Sequence, residues 1–242
     1  MQGLIITLYA DTASFRDPNT HLYQESLPAP SPTNIVGMAG AALGISFKEA
    51  LEFFKSNQIG IGYSAKREGF GKDLWNYSKI QSKGVIKDIL IREFFYGIKA
   101  ELFFACKDKV IIDRLYNAYK DPFYALTLGN SDELVKIISV EIIDEIIFYK
   151  ESHIKNTWVK GNHIRHFELD WDYIKSTPIK ITIKPPVVKN LPIDFKFNNN
   201  DEREVTKLSE FTFFEEAHVL KDPISVYKFK NKNVPLFVFD KY

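Results

Sequence analysis

The sequence holds a single cysteine and no long uninterrupted apolar segment. One cysteine cannot form an intrachain disulfide, which is typical of a protein from a reducing cytoplasm. Cys106 lies in the apolar run LFFAC, so we expect a buried structural thiol and not a nucleophile. No segment approaches the roughly 18 apolar residues that cross a membrane. The N-terminus lacks a basic start and a cleavage site, which predicts a first strand and no signal peptide.

The chain also has little net charge, +1 over 242 residues, so total charge gives no support to a nucleic-acid partner. Binding follows the local distribution of charge rather than its sum. Residues 62–92 contain seven lysines and arginines against three acids, whereas residues 201–216 contain six acids against two bases. The sequence therefore predicts two faces of opposite charge.

Motifs for nucleotide, cofactor and metal chemistry are missing as well. There is no P-loop, no GxGxxG and no GxSxG, and the GxG of residues 60–62 lies inside a predicted strand. His163 and His166 precede Asp170 and Asp172, but strand residues three apart point to opposite faces and cannot share a metal. We expect no cofactor, no metal and no catalytic residue.

Hydrophobic periodicity in residues 1–150 predicts an α+β fold. Strands are predicted at residues 3–10, 59–66, 89–106 and 137–148, and helices after Ser31-Pro32, after Ser46, over residues 109–119 and, briefly, near Ser131. The order is that of a ferredoxin-like (RRM-like) βαββαβ domain, in which the first and third strands occupy the middle of one antiparallel sheet.

Residues 151–242 are predicted to form a smaller β-rich region. Its candidate strands are short and are interrupted by prolines at 178, 185, 186 and 192. The short apolar runs are NTWVKG, HIRHFELDWDY, PIKITIK, IDFKF, ISVYKFK and PLFVFDKY.

A long insertion, about residues 66–88, separates the second and third strands and far exceeds an ordinary hairpin loop. We expect a projecting hairpin, or thumb. Its lysines and arginines can neutralise phosphates, while Phe70, Trp75 and Tyr77 can stack on unpaired bases. The alternative is a solvated charged loop with no ligand.

A proline-rich loop precedes the first helix, with prolines at 18, 28, 30 and 32. Stiffening reduces the entropy that a loop loses when a ligand fixes it. The helix behind it carries Gly37, Ala41 and Gly44 along one narrow side. Such a side lets RNA, a partner or the protein's own sheet approach closely, and packing within the chain is the simpler interpretation of the glycines.

Two separated motifs carry a resemblance to a known family. The segment Ala13-Ser14-Phe15-Arg16-x-Pro18, followed by LPAPSPTNIVGMAGAALG, resembles the N-terminus of Cas family-five subunits of type I CRISPR effector complexes (Cascade), members of the RAMP superfamily. DPFYALTLGNSDELVKI, residues 121–137, is similar to a second segment of that family. The resemblance covers residues 1–150.

The resemblance implies a non-catalytic, cytoplasmic RNA-binding subunit in antiviral defence, with no membrane partner. It would grip the five-prime handle of the crRNA and cap the complex beside the Cas family-seven backbone subunit and the large Cas family-eight subunit. Target DNA would be met through the assembled complex. The candidate handle contacts are Arg16, His21, Tyr23, Gln24, Asn34, Lys66, Arg67, Lys72, Trp75, Lys79 and Lys83.

One branch of the family, in type I-C systems, cleaves precursor RNA with a tyrosine and a neighbouring Lys-His pair. This sequence has no Lys-His dipeptide, so the resemblance is greater to the type I-B or I-A lineages. Two alternatives stay open: a metal-independent endoribonuclease using His21 and Tyr23 near Arg16, and a ferredoxin-like enzyme or binding module for a small molecule.

Overall fold

The computed structural model describes residues 1–18, 20, 23–81, 84–177, 183–199 and 202–240. The helices are α1 (Pro32–Leu43), α2 (Phe47–Ser56), α3 (Lys109–Lys120) and α4 (Trp171–Ser176). The strands are β1 (Gln2–Ala13), β2 (Tyr23–Gln24), β3 (Gly60–Lys66), β4 (Gly69–Gln81), β5 (Gly84–Cys106), β6 (Lys136–Ile143), β7 (Ile147–Glu151), β8 (Thr157–Lys160), β9 (Phe167–Leu169), β10 (Val187–Phe197), β11 (Arg203–Phe214), β12 (His218–Leu220), β13 (Ile224–Phe229) and β14 (Lys232–Val234).

The main sheet has β1 and β5 at its centre. β1 pairs with β5 on one side and with β6 on the other, and β5 pairs with β3 beyond it, every pairing being antiparallel. The central position predicted for the first and third strands is therefore confirmed. Leu4, Ile6 and Leu8 of β1 pack with α1, α2 and α3 in the largest apolar cluster, while Ile5 packs on the opposite face with Phe229.

Local signals placed the starts of α1 and α2 correctly. The Ser31 hydroxyl accepts from the Asn34 N–H at 3.2 Å, with proline at the first helical position, and α1 ends at Gly44 with φ +71°. Ser46 and Glu49 form a complete capping box at the start of α2. Cys106 is buried, as predicted, and its thiol donates to the carbonyl of Asn57.

Two predictions for residues 1–150 were wrong. The strand predicted over residues 137–148 breaks after Ile143, and residues from Ile147 join β13 in a different sheet. Ile146 stabilises this break, because its N–H donates to the carbonyl of Met1 and its side chain is buried. No helix forms near Ser131; the segment is a turn in which the Glu133 N–H donates to the Asn130 carbonyl.

The C-terminal region is rich in strands, but its details differ from the prediction. β8, β10 and β11 form one sheet, β9 pairs with β12, and β13 lies between β7 and β14. The segment HIRHFELDWDY is a strand only at Phe167–Leu169, because Asp170 accepts from the Tyr173 N–H and starts α4. PLFVFDKY forms a single bridge, between Phe237 and Ile61. Most of PIKITIK lies outside the described residues.

The glycines that were predicted to admit a close neighbour are mostly covered by the chain itself. A methyl group on Gly60 or Gly62 would meet Leu236, so the C-terminal segment occupies the bare face of β3. One on Gly40 would lie 3.0 Å from Ala50, and Gly44 abuts Phe123. Packing within the chain therefore explains these four positions.

The apolar packing is continuous between residues 1–150 and 151–242. Trp158, Leu191 and Phe211 belong to the same buried cluster as Leu4 and Ile35. The boundary at residue 150 stays a prediction. Within the described ranges, no helix has the length and hydropathy to cross a membrane.

Candidate nucleic-acid interface

The predicted projecting hairpin is present and is longer than the insertion first suggested. β4 pairs with the first part of β5 from Gly69↔Tyr96 to Gln81↔Gly84. We call residues 69–96 the thumb. At its root Gly97 has φ +60°, and the second part of β5 continues into the main sheet. The thumb is therefore an extension of a central strand.

Arg92 joins the thumb to the body of the protein. It is only 8% exposed, and its guanidinium donates to Asp73 of β4 at 2.7 Å and to Asp132 of the 129–134 turn at 3.1 Å. It also lies 4.9 Å from the ring centroid of Trp75. The hydrogen bond to Asp73 is the main cause that raises the pKa of Arg92, so the side chain stays charged.

The proline-rich loop folds back on itself beside the thumb. The Leu27 N–H donates to the Phe15 carbonyl at 2.7 Å, and the Phe15 N–H donates to the Ser26 hydroxyl at 2.9 Å. Glu93 of β5 accepts from the Ser26 N–H at 3.2 Å and from the Tyr23 hydroxyl. These bonds fix the loop to the thumb root.

The two motifs that carry the family resemblance contact each other. The buried Glu133 carboxylate accepts from the N–H and hydroxyl of Ser14, at 3.0 and 2.9 Å, and from the Asn130 N–H at 2.6 Å. Gly129, with φ +127°, lets the turn lie directly against Ser14. The end of β1 and the turn at 129–134 form one buried joint.

A groove of about 690 Å³ lies between the proline-rich loop, α1, residues 125–130 and strands β10 and β11; we call it the loop–helix groove. Arg16 and Asn34, both exposed, line it together. The Asn34 side-chain oxygen accepts from the Ser31 hydroxyl, so its amide NH₂ group remains available for a ligand.

Tyr23, Lys72 and Trp75 lie at the thumb root instead. The Lys72 ammonium is 5.2 Å from the Tyr23 ring centroid and 3.6 Å from the Glu93 carboxylate. The hydrogen bond to Tyr23 is the main cause that raises the pKa of Lys72. Trp75 lies on the other face of the hairpin because strand residues alternate between faces. Gln24 is buried.

Lys66 and Arg67 line a second groove, of about 1000 Å³, between the thumb root and the C-terminal region. Lys66 lies 3.6 Å from Glu216, and Arg67 lies 3.0 Å from Glu215. The prediction of two separate faces of opposite charge is therefore wrong at these residues, because the folding of the C-terminal region brings the acids onto the bases.

Three predicted contacts cannot be placed. His21 and Lys83 lie outside the described residues, and the side chain of Lys79 does as well, although its backbone belongs to β4.

The two grooves differ in the charge that remains for a ligand. In the second groove Lys66, Arg67 and Lys189 are each within ion-pair distance of a carboxylate. In the loop–helix groove, no carboxylate of the described residues lies within 4.0 Å of Arg16 or Arg203, and no acid among those residues lines the walls. The loop–helix groove is the better site for an anion such as a phosphodiester.

Arg203 is a wall residue that sequence reasoning missed. Its guanidinium carbon is 5.0 Å from the Phe47 ring centroid and 5.6 Å from that of Phe195. In the sequence Arg203 stands in an acidic stretch, and Phe47 and Phe195 stand in separate apolar runs. No local signal connects the three residues, because their contact depends on β10 and β11 packing beside α1 and α2.

The histidines offer no convergent site in the described part of the chain. His163 lies beside the carbonyl of Lys160, His166 is 3.6 Å from Asp222, and no group of three metal-ligating side chains occurs among the described residues. His218 is buried, with Nδ1 accepting from the Glu215 N–H and Nε2 donating to the Lys184 carbonyl.

Burial lowers the pKa of His218, which predicts an acid-sensitive fold. In the unfolded chain His218 becomes protonated near pH 6.5, whereas its lowered pKa delays protonation in the folded protein. The free energy of unfolding therefore falls as the pH drops below about 6.5. Below about pH 6.5 we expect wild type to lose at most about 1.4 kcal/mol of unfolding free energy per pH unit. H218Q cannot titrate there. Urea unfolding at several pH values should give H218Q a flatter profile; parallel profiles would contradict the prediction.

Comparisons with known proteins agree with the resemblance. Residues 3–208 match the family described as CRISPR-associated protein (Cas_Cas5). A crystal structure of a CRISPR protein from Archaeoglobus fulgidus is similar to this chain with a TM-score of 0.57 at 12% identity, over 98% of this chain and 100% of that one. A chain of a CRISPR RNA-guided surveillance complex matches with a TM-score of 0.51 at 12% identity, over 91% of each chain. No curated protein matches.

The fold is thus an α+β architecture that CRISPR proteins share. The family match covers most of the chain, from β1 into β11. The protein belongs to the CRISPR-associated protein (Cas_Cas5) family, the Cas family five that its sequence motifs resemble.

Proposed function

We propose that the protein is a non-catalytic crRNA-binding subunit of a type I CRISPR effector complex, most like those of types I-B and I-A. It grips the five-prime handle of the guide RNA. It caps the complex beside the Cas family-seven backbone and the large Cas family-eight subunit in the cytoplasm, and it meets target DNA through that assembly.

The strand order of the main sheet supports this proposal. The strand order β6-β1-β5-β3, with α1 and α3 packed in the same apolar cluster, supports a ferredoxin-like sheet with a thumb added to its third strand. Sheets of this kind occur in RRM domains, which bind single-stranded RNA.

The observation that carries the proposal is the charge of the loop–helix groove. Among the described residues, no carboxylate lies within ion-pair distance of Arg16 or Arg203, and none accepts from the amide group of Asn34 beside them at the start of α1. The phosphates of a nucleic acid need such uncompensated donors, because an arginine already held by a carboxylate must give up that pair first.

Reconstitution with and without the handle tests the proposal. The protein co-expressed with its operon partners should assemble on a crRNA with its native handle and fail to assemble when the handle sequence is scrambled. Normal assembly on the scrambled RNA, with the protein in its usual stoichiometry, would contradict a handle-binding role.

R16A should weaken handle RNA binding more than K66A. Among the described residues Arg16 has no carboxylate partner to replace, whereas Lys66 is already near Glu216. Arg16 should therefore neutralise a phosphate more fully and release more of the RNA's counterions. We expect R16A to lower affinity about 5-fold or more and to reduce the slope of log affinity against log salt by about one. Fluorescence anisotropy over a salt series measures both quantities. Equal slopes for the two variants would contradict the expectation that Arg16 neutralises a phosphate more fully than Lys66.

The endoribonuclease alternative is separable from binding. The Tyr23 hydroxyl, one of its two proposed groups, donates to Glu93. We expect the purified protein to bind repeat RNA without cutting it in EDTA, where a metal-independent enzyme would remain active. Specific cleavage that is lost in Y23F would replace the non-catalytic assignment with the alternative.

A further inference from the structure

The glycine at position 37 is not required by the packing of the protein. It lies within α1, where glycine is less favourable than alanine. Among the described residues, a methyl group at this position would meet only the Phe47 ring, at an ordinary contact distance of 3.8 Å. Gly40, one turn on, has a crowded neighbourhood instead, with Ala50 at 3.0 Å. Gly37 therefore leaves open space that the described part of the chain does not fill.

That space belongs to the loop–helix groove. Gly37, Met38 and Ala41 of α1 are half-buried and form a low apolar floor, and Phe47 and Phe195 stand beside it with their rings 5.3 Å apart, edge to face. The groove volume, about 690 Å³, is in the range of sites that hold a small organic group.

The edges of the groove carry positive charge. Arg16 comes from the proline-rich loop and Arg203 from β11, so the C-terminal region supplies one wall. The Arg203 guanidinium lies over the Phe47 and Phe195 rings. Stacking on the rings orients its planar set of N–H donors. An apolar floor with cationic edges fits a planar, uncharged ring that is attached to anionic groups.

Resting on the proposed function, we propose that the loop–helix groove holds one unstacked nucleobase of single-stranded RNA. The base lies on the floor at Gly37, against the Phe47 and Phe195 wall, and the adjacent phosphates contact Arg16 and Arg203. Gly37 sets the depth of the pocket, because any larger side chain there occupies the volume of the base.

Substitution of Gly37 separates binding from folding. G37A should raise the Tm of the full chain by about 2–4 °C, because alanine favours the helix and fits beside Phe47. G37L should lower affinity for handle RNA about 10-fold or more while the chain stays folded. G40A is the matched control on the same helix: it should lower the Tm through its contact with Ala50 and leave the affinity of the folded protein unchanged.

Abasic RNA identifies the base directly. In a set of handle RNAs that each lack one base, a single position should lose about 10-fold in affinity for wild type, as expected for one stacking contact. The same RNA should show no further loss with G37L, because the variant already excludes that base.

R203A should weaken binding and lower the salt slope by about one, whereas R203K should keep the slope and lose only affinity, since lysine keeps the charge without the planar stack. K207A, on the same strand and paired with Asp240, is the control and should behave as wild type.

The outcomes distinguish the two proposals. If wild type does not bind handle RNA, the proposed function fails. If wild type binds and R16A weakens it, but G37L binds normally and no abasic position is special, the proposed function stands and the base pocket is wrong.

Discussion

G129A is expected to destabilise the protein by about 3 kcal/mol or more. Gly129 has φ +127°, a conformation that residues with a side chain rarely adopt, and a methyl group there would overlap the Ser14 carbonyl and the Glu133 carboxylate. The backbone carbonyl cannot move without pulling the end of β1 from its joint. Urea unfolding of the full chain measures the loss.

G84A provides the control for this prediction. Gly84 has nearly the same backbone angle, φ +130°, but no atom of the described residues beyond its chain neighbours lies within 4 Å of the added methyl group. G84A therefore suffers only the backbone strain, about 1 kcal/mol. If the two variants lose equal stability, the contact with Ser14 is unimportant and the joint between the motifs is not a stabilising feature.

The Gly129 joint shows why separated motifs could be found in the sequence but not assembled from it. Each motif is local: the cap at Ser31, the box at Ser46 and Glu49 and the glycine of the turn all have signals within a few residues. Their contact is not local, because Ser14 and Glu133 are 119 residues apart. A hydrogen bond between residues so far apart produces no hydrophobic periodicity or local motif from which it could be predicted.

The same limit applied to charge. The sequence placed a basic insertion and an acidic stretch correctly, but it treated both as free surfaces. In the structure Arg67 pairs with Glu215 and Arg92 pairs with Asp73 and Asp132. Pairing across strands and regions decides which cations remain for a ligand, and it favours Arg16 over Arg67, Lys72 and Arg92.

The C-terminal region was the least predictable part. Its strands are short, β9 and β12 having three residues each, and they pair across long separations, so alternation over a few residues could not define them. Arg203 and Phe195 contribute to the groove only through this pairing. The groove residues within 14–47 could be predicted from the sequence, and those of β10 and β11 could not.

R92M is the second variant expected to have a large effect, because one side chain holds three segments together. Removing the guanidinium leaves Asp73 and Asp132 facing each other without a cation at the root of the thumb. Breaking a buried ion pair costs about 3–5 kcal/mol, and since both carboxylates are partly exposed we expect about 2–3 kcal/mol. The surface variant K207A, which breaks one exposed pair with Asp240, should lose less than about 1 kcal/mol.

The carboxylates that R92M leaves behind separate a charge effect from a packing effect. Adding D73N and D132N to R92M removes both unpaired charges, so the triple variant should recover part of the lost stability. If it is no more stable than R92M alone, the loss comes from the packing of Arg92 against Trp75. Weakened RNA binding in the triple variant despite recovered stability would mean that Arg92 also sets the direction of the thumb, because the neutral side chains no longer tie position 132 of the turn to β5.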